Sequence, residues 1–139
     1  MNGLPVRLQE IVEDFAACVG EEKLEYLLEF AEKLPPLPTW LHEQRDSLDQ
    51  VHECMTPVFV YAQRENGRLH FHFDIPPESP TVRGFAAVLQ EGLNNTTTAE
   101  VTAVPNEFYL DMGLQSVPSG QRLNGIAAIL AHMKTLARG

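Results

Sequence analysis

Basic residues are scarce in this chain: ten Lys and Arg stand against nineteen Asp and Glu in 139 residues, a formal net charge of −9. A surface of that sign repels phosphate backbones and anionic headgroups at long range, which argues against nucleic acid and membrane as partners. Long apolar runs are missing too. The longest extend only a few residues, as from Gly84 to Leu89, so no membrane-spanning segment is expected. Met1-Asn2-Gly3-Leu4-Pro5 has neither a basic flank nor a continuous apolar stretch; no secretory signal is expected, and the expected compartment is the cytoplasm. With only two cysteines, Cys18 and Cys54, one bridge at most can form. Both are read as free thiols. Gly-x-Ser-x-Gly, Gly-x-x-x-x-Gly-Lys-Ser/Thr, Gly-x-Gly-x-x-Gly and His-Glu-x-x-His are all absent, which removes support for hydrolase and nucleotide chemistry. So is Cys-x-x-Cys, the signature of a dithiol redox pair.

What is present reads as one domain over residues 1–139. After Pro5, a helix is predicted from Leu8, Ile11, Val12, Phe15 and Val19, with Gly20 ending it. A second carries Leu24, Leu27, Leu28, Ala31 and Leu34 and stops at Pro35-Pro36. Between Leu41 and Gln50 there is room for a turn or two of helix. From Pro57 the period becomes two, with Val58, Val60 and Ala62 alternating against Phe59, Tyr61 and Gln63. Asn66-Gly67 marks a turn, and Leu69, Phe71, Phe73 and Ile75 follow, so a β-hairpin is predicted, with a third short strand near Val51. Further helices are expected from Ser79 to Asn94, with Val82, Phe85, Ala86, Leu89 and Leu93 inward, and in short pieces from Thr96 to Met112. A last one starts at about Ser119, with Leu123, Ile126, Ala127, Leu130 and Met133 inward. Helices, a hairpin, then helices give an α+β fold in which helices cover one face of a small antiparallel sheet.

The thiols differ in setting. Cys18 follows Phe15 by one turn on the apolar side of the first helix, where a cysteine serves as a small hydrophobe, and it is expected in the core. Cys54 stands in a connecting segment just before a strand, where reactive groups are often presented. Spacing alone leaves a reactive thiol and a half-buried loop cysteine equally open. A metal site built from His52, Cys54, His70 and His72 has suitable ligand types but not the paired spacing of structural zinc sites, and His70 and His72 are equally explained as the polar side of an amphipathic strand. His42 and His132 are read as solvated.

Four segments go further: Leu34 to Leu37; Val51-His52-Glu53-Cys54-Met55-Thr56-Pro57-Val58; Pro80 to Leu89; and Met112-Gly113-Leu114 leading to Pro118-Ser119-Gly120-Gln121-Arg122-Leu123-Asn124-Gly125. In this order, over almost the whole chain, they resemble the SufE family, sulfur acceptors that partner cysteine desulfurases in iron–sulfur cluster assembly. The resemblance implies that Cys54 takes sulfane sulfur from a persulfide on the desulfurase and that Arg122 orients or stabilises its loop or thiolate. It implies no catalysis by the chain alone beyond this carrier role, no metal and no cofactor, the pyridoxal phosphate (PLP) belonging to the desulfurase. The implied partners are a SufS-like or CsdA-like cysteine desulfurase and a scaffold such as a SufBCD-like complex, with a homodimer allowed. Cys18 matches no family site. Where the family commonly has glycine before the cysteine, this chain has Glu53, a departure that bears on loop conformation and partner choice. An unperturbed thiol is only ~3% ionised at neutral pH, and Asp46, Asp49 and Glu53 offer no help, so activation is expected from His52, Arg122, backbone N–H groups or the partner. The other reading is an adaptor or metal-binding module without thiol chemistry.

Overall fold

Pro5, whose carbonyl accepts from the Gln9 N–H, precedes α1 (Val6–Ala17), and Leu8, Ile11, Val12 and Phe15 form its buried stripe. The computed structural model describes residues 4–52, 57–113 and 120–139, apart from the side chains of residues 45 and 120–126. Val19 does not extend the stripe. The helix ends one residue earlier, at the extended Cys18, and Val19 is 75% exposed. Lys23 closes this end: its Nζ donates to the carbonyls of Phe15 and Cys18, each at 2.7 Å, placing a cation on the helix's negative pole. In α2 (Glu22–Lys33) the buried side chains are Leu27, Phe30 and Ala31, while Leu24 is partly covered and Leu28 lines a groove.

The acidic stretch holds α3 (Thr39–His42) and a 3₁₀ turn over Arg45–Ser47, then enters the sheet. The order is β1 (Asp49–Gln50), β2 (Phe59–Glu65), β3 (Arg68–Asp74), antiparallel throughout. The third strand is thus real and starts two residues before Val51, whose own N–H donates to the Val58 carbonyl at 2.8 Å. Asn66 and Gly67, at φ 55° and 77°, make the tight hairpin turn, and both angles match the type I′ geometry that suits twisted strands. Val60, Ala62 and Arg64 pair with Phe73, Phe71 and Leu69 on one face; Tyr61 and Gln63 pair with His72 and His70 on the other. The free edge of β3 is blunted. Leu69 exchanges backbone bonds with Thr96 and Asn95, Phe71 N–H donates to Asn94 Oδ1, and Gln90 Nε2 donates to the Phe71 carbonyl.

α4 (Pro80–Leu93) is the central helix, packing on α1, α2 and β3 and against α6 (Gly120–Arg138). Its run from Gly84 to Gln90 is buried without a break, because the sheet lies on one side and α1 and α2 on the other. α5 (Thr98–Ala103) begins with a capping box formed by Thr97 and Glu100, and a 3₁₀ turn follows over Phe108–Met112. The core side of α6 is formed by Ile129, Leu130, Met133 and Ala137. Ala127 is half-buried; the expected inward positions Leu123 and Ile126 lie outside the described side chains. The α+β architecture follows the sequence reading, with the addition that the helices on one sheet face form two layers rather than one.

Candidate functional site

The connection between β1 and β2 carries the first candidate. Val51 and Val58, both fully buried, close its base through the Val51 N–H to Val58 carbonyl bond. His52 and Pro57, on either side, are exposed. The chain thus turns from buried to exposed between Val51 and His52, and from exposed to buried between Pro57 and Val58. Cys54 and Glu53 belong to this connection by sequence and lie outside the described residues. His52 occupies a turn at the surface. Arg122 lies in the first turn of α6, and its side chain is outside the described set.

Among the described residues, α6 is tied to the sheet by polar contacts at two points. Arg64 of β2 donates from its guanidinium to the carbonyls of Leu136 and Ala137, completing the helix C-terminus with a cation. Midway along, His132 Nδ1 donates to Asp49 Oδ2 at 2.6 Å, so the imidazole is not the solvated group expected from sequence. Asp49 faces α6 because it pairs with Val60, on the helix-covered side of the sheet. Nothing local announces this contact; the partners are 83 residues apart in the chain.

His70 and His72 share the opposite face. His72 bonds Gln63 Oε1 at 2.8 Å and meets Trp40 edge-on, as does Tyr61. Burial, and secondarily His70, hold the His72 imidazole below its ordinary pKa. Among the described residues no group of three or more His, Cys, Asp or Glu gathers as a metal site, and none of their helices is long and apolar enough to cross a membrane.

Cys18 is a correction to the sequence reading. It is half-exposed at the end of α1, donates its thiol to the Asp14 carbonyl at 3.4 Å, and lines an acidic cleft with Asp14, Glu22, Glu25, Glu29 and Tyr26. The reason is the early end of α1: the chain turns out of the helix before the thiol can reach the core. Burial, then Asp14, raise the Tyr26 phenol, which therefore stays protonated and bonds Asp14 at 3.2 Å.

Two of the motif segments serve packing. Arg83 donates to the Ile75 carbonyl at 2.7 Å and reaches the Leu34 carbonyl at 3.5 Å, joining the ends of β3 and α2 to the start of α4. A Cβ on Gly84 would lie 2.5 Å from the Leu27 carbonyl oxygen, so only glycine permits this α2–α4 approach. Leu34, Pro35, Pro36 and Leu37 line the adjacent groove with Pro80 and Arg83.

A three-stranded sheet backed by two helical layers, with a thiol-bearing connection between its first two strands, defines a small α+β domain of a recognisable kind. The family profile SufE, described as an Fe-S metabolism associated domain, matches residues 9–137, and the chain belongs to this family. A SufE-like protein of Mycobacterium tuberculosis is 43% identical over 97% of this chain and 94% of its own length. The sulfur acceptor protein CsdE of Escherichia coli is 32% identical over 78% of this chain and 72% of its own. A solution structure of a hypothetical protein from Thermus thermophilus superposes with a TM-score of 0.86 at 37% identity, covering 97% of this chain and 96% of that one.

Proposed function

We propose that this protein is a sulfur acceptor in iron–sulfur metabolism, taking persulfide sulfur onto Cys54 from a PLP-dependent cysteine desulfurase. The observation that carries the reading is family membership across residues 9–137 joined to a cysteine that by sequence falls between β1 and β2, flanked by the exposed His52 and Pro57. The similarity to CsdE, a sulfur acceptor by name, supports it. In the transfer, the Cys54 thiolate attacks the terminal sulfur of the desulfurase persulfide. One S–S bond forms at Cys54, the S–S bond on the desulfurase breaks, and its cysteine leaves as a thiolate that takes up the proton Cys54 gave up. No net oxidation occurs. Removing the persulfide frees the desulfurase for another turnover, so the chain stimulates its partner without catalysing a reaction alone, then delivers sulfur to a scaffold for cluster assembly in the cytoplasm.

The contrast between thiols supports Cys54 as well. Cys18 sits among Asp14, Glu22, Glu25 and Glu29, whose charge repels an anionic persulfide. Arg122, in the first turn of the helix tied to β1, serves to orient the connection or stabilise the thiolate. The test is to mix protein, desulfurase and sulfur-labelled cysteine, then read intact and peptide mass: added sulfur on the Cys54 peptide is expected, and its absence there, or its appearance on Cys18, overturns the assignment.

A further inference from the structure

β1 is only two residues long, and its ladder to β2 consists of Asp49 opposite Val60 and Gln50 opposite Phe59. So short a strand is a weak anchor for the connection that begins at Val51. The buried Val51–Val58 bond closes its base, and a further anchor is lateral. The Asp49 carboxylate accepts from His132 Nδ1 at 2.6 Å, a short hydrogen bond to a carboxylate. The same helix is fixed at its C-terminal end by Arg64, and its first turn holds Arg122, ten residues and roughly 15 Å of helical rise before His132. A helix is stiff over such a length, so holding it at His132 and at its C-terminus also sets where its first turn points. On the strand side, Asp49 precedes Cys54 by five residues. One group assigned to sulfur uptake thus follows β1 in the chain, the other stands on α6, and the Asp49–His132 contact joins these two elements.

We propose that His132 and Asp49 are positioning residues for sulfur uptake, a clamp that fixes β1, and with it the connection bearing Cys54, against the helix bearing Arg122. The inference rests on the sulfur-acceptor reading above. It requires neither residue to touch the reacting sulfur.

The experiment uses the full chain, with His132→Ala, Asp49→Ala, the double variant and His132→Asn, whose side-chain amide can occupy the position of Nδ1. With a cysteine desulfurase that loads the wild-type protein, each alanine variant is expected to lower Cys54 persulfide formation at saturating desulfurase about tenfold, the worth of one hydrogen bond to a charged group. The double variant is expected to be slowed by less than the product of the two single effects, since the two side chains share a contact. His132→Asn is expected to restore most of the rate, which a general loss of stability would not allow. A second readout needs no desulfurase: the ratio of iodoacetamide alkylation at Cys54 to that at Cys18, by peptide mass. It should shift at least about threefold in both alanine variants and return in His132→Asn, since the clamp acts on one thiol's element and not the other's. An unmoved ratio, additive losses in the double variant, failure of asparagine to rescue, or a ratio that moves while uptake does not would each overturn the clamp. If the wild-type protein takes no sulfur at Cys54, the sulfur-acceptor reading fails and the positioning role in uptake falls with it, whereas loading of the wild type with unchanged variants overturns the clamp alone.

Discussion

The junction where α2, β3 and α4 meet and the connection between β1 and β2 both carry family motifs, yet their residues meet opposite demands. At the junction, Gly84 admits a backbone carbonyl and Arg83 collects carbonyls from the ends of β3 and α2. Both residues there are engaged by neighbours within the fold. At the connection, Val51 and Val58 close a buried base while His52 and Pro57 stand at the surface, as a segment that meets another molecule requires. A motif can therefore mark packing as firmly as chemistry, and substitution separates the two.

The largest effect is expected at the connection. Cys54→Ser should abolish persulfide acceptance and leave the melting temperature near wild type, whereas Cys18→Ser should leave acceptance largely intact. Because Cys18 is half-exposed rather than buried, its replacement should also cost little stability, within about 0.5 kcal/mol in denaturant titration. Loss of acceptance in Cys18→Ser instead would reverse the assignment of the thiols.

Gly84→Ala should behave in the opposite sense. Its methyl group would meet the Leu27 carbonyl at 2.5 Å and the Leu27 side chain at 2.8 Å, and α2 and α4 must part to admit it. The expected loss is about 2 kcal/mol of unfolding free energy, overpacking outweighing the gain in helix propensity. Sulfur acceptance per folded molecule should stay at the wild-type level. A Gly84→Ala protein of normal stability would show that the junction yields.

Arg122→Ala sharpens the comparison from the helix side, with sulfur transfer expected to slow roughly tenfold while helix content and melting remain near wild type. Circular dichroism beside single-turnover transfer checks both halves. Wild-type kinetics would remove Arg122 from the transfer step.

The smallest effect lies on the sheet face that carries His70 and His72. Burial and His70 depress the folded-state pKa of His72, so the unfolded chain takes up this proton at higher pH than the folded one. His72 therefore costs no stability well above its ordinary value near ~6.5, and the protein loses stability as pH falls through that value toward the depressed one. Melting temperatures between pH 7.5 and about 5 should fall less steeply in His72→Gln than in wild type. An identical slope would show that His72 protonates without penalty.

Period and punctuation made the local elements legible. Pro5, the Pro35-Pro36 stop, Asn66-Gly67 and the alternation of Val60, Ala62, Leu69, Phe71 and Phe73 each act within a few residues, so α1, α2, the hairpin and α4 could be placed from the chain alone. Where one more turn decided the outcome, local reading failed: Cys18 and Val19 continue the apolar period of α1, but the helix ends before them and Lys23 seals its carbonyls. Cys54 was legible as a candidate because its neighbours Val51 to Val58 form a recognisable segment, and Arg122 only through the same resemblance.

By itself, then, the sequence determined the fold class and the family and singled out Cys54 as the candidate thiol, since hydrophobic period, turn residues and short motifs are properties of neighbouring positions. Only the tertiary structure decided that Arg83 and Gly84 serve a three-way junction, that Cys18 faces an acidic cleft, and that His132 bonds Asp49 across 83 residues. Such contacts depend on which faces meet when helices stack on the sheet. That choice is set by the packing of the whole core, and no window of the chain contains it.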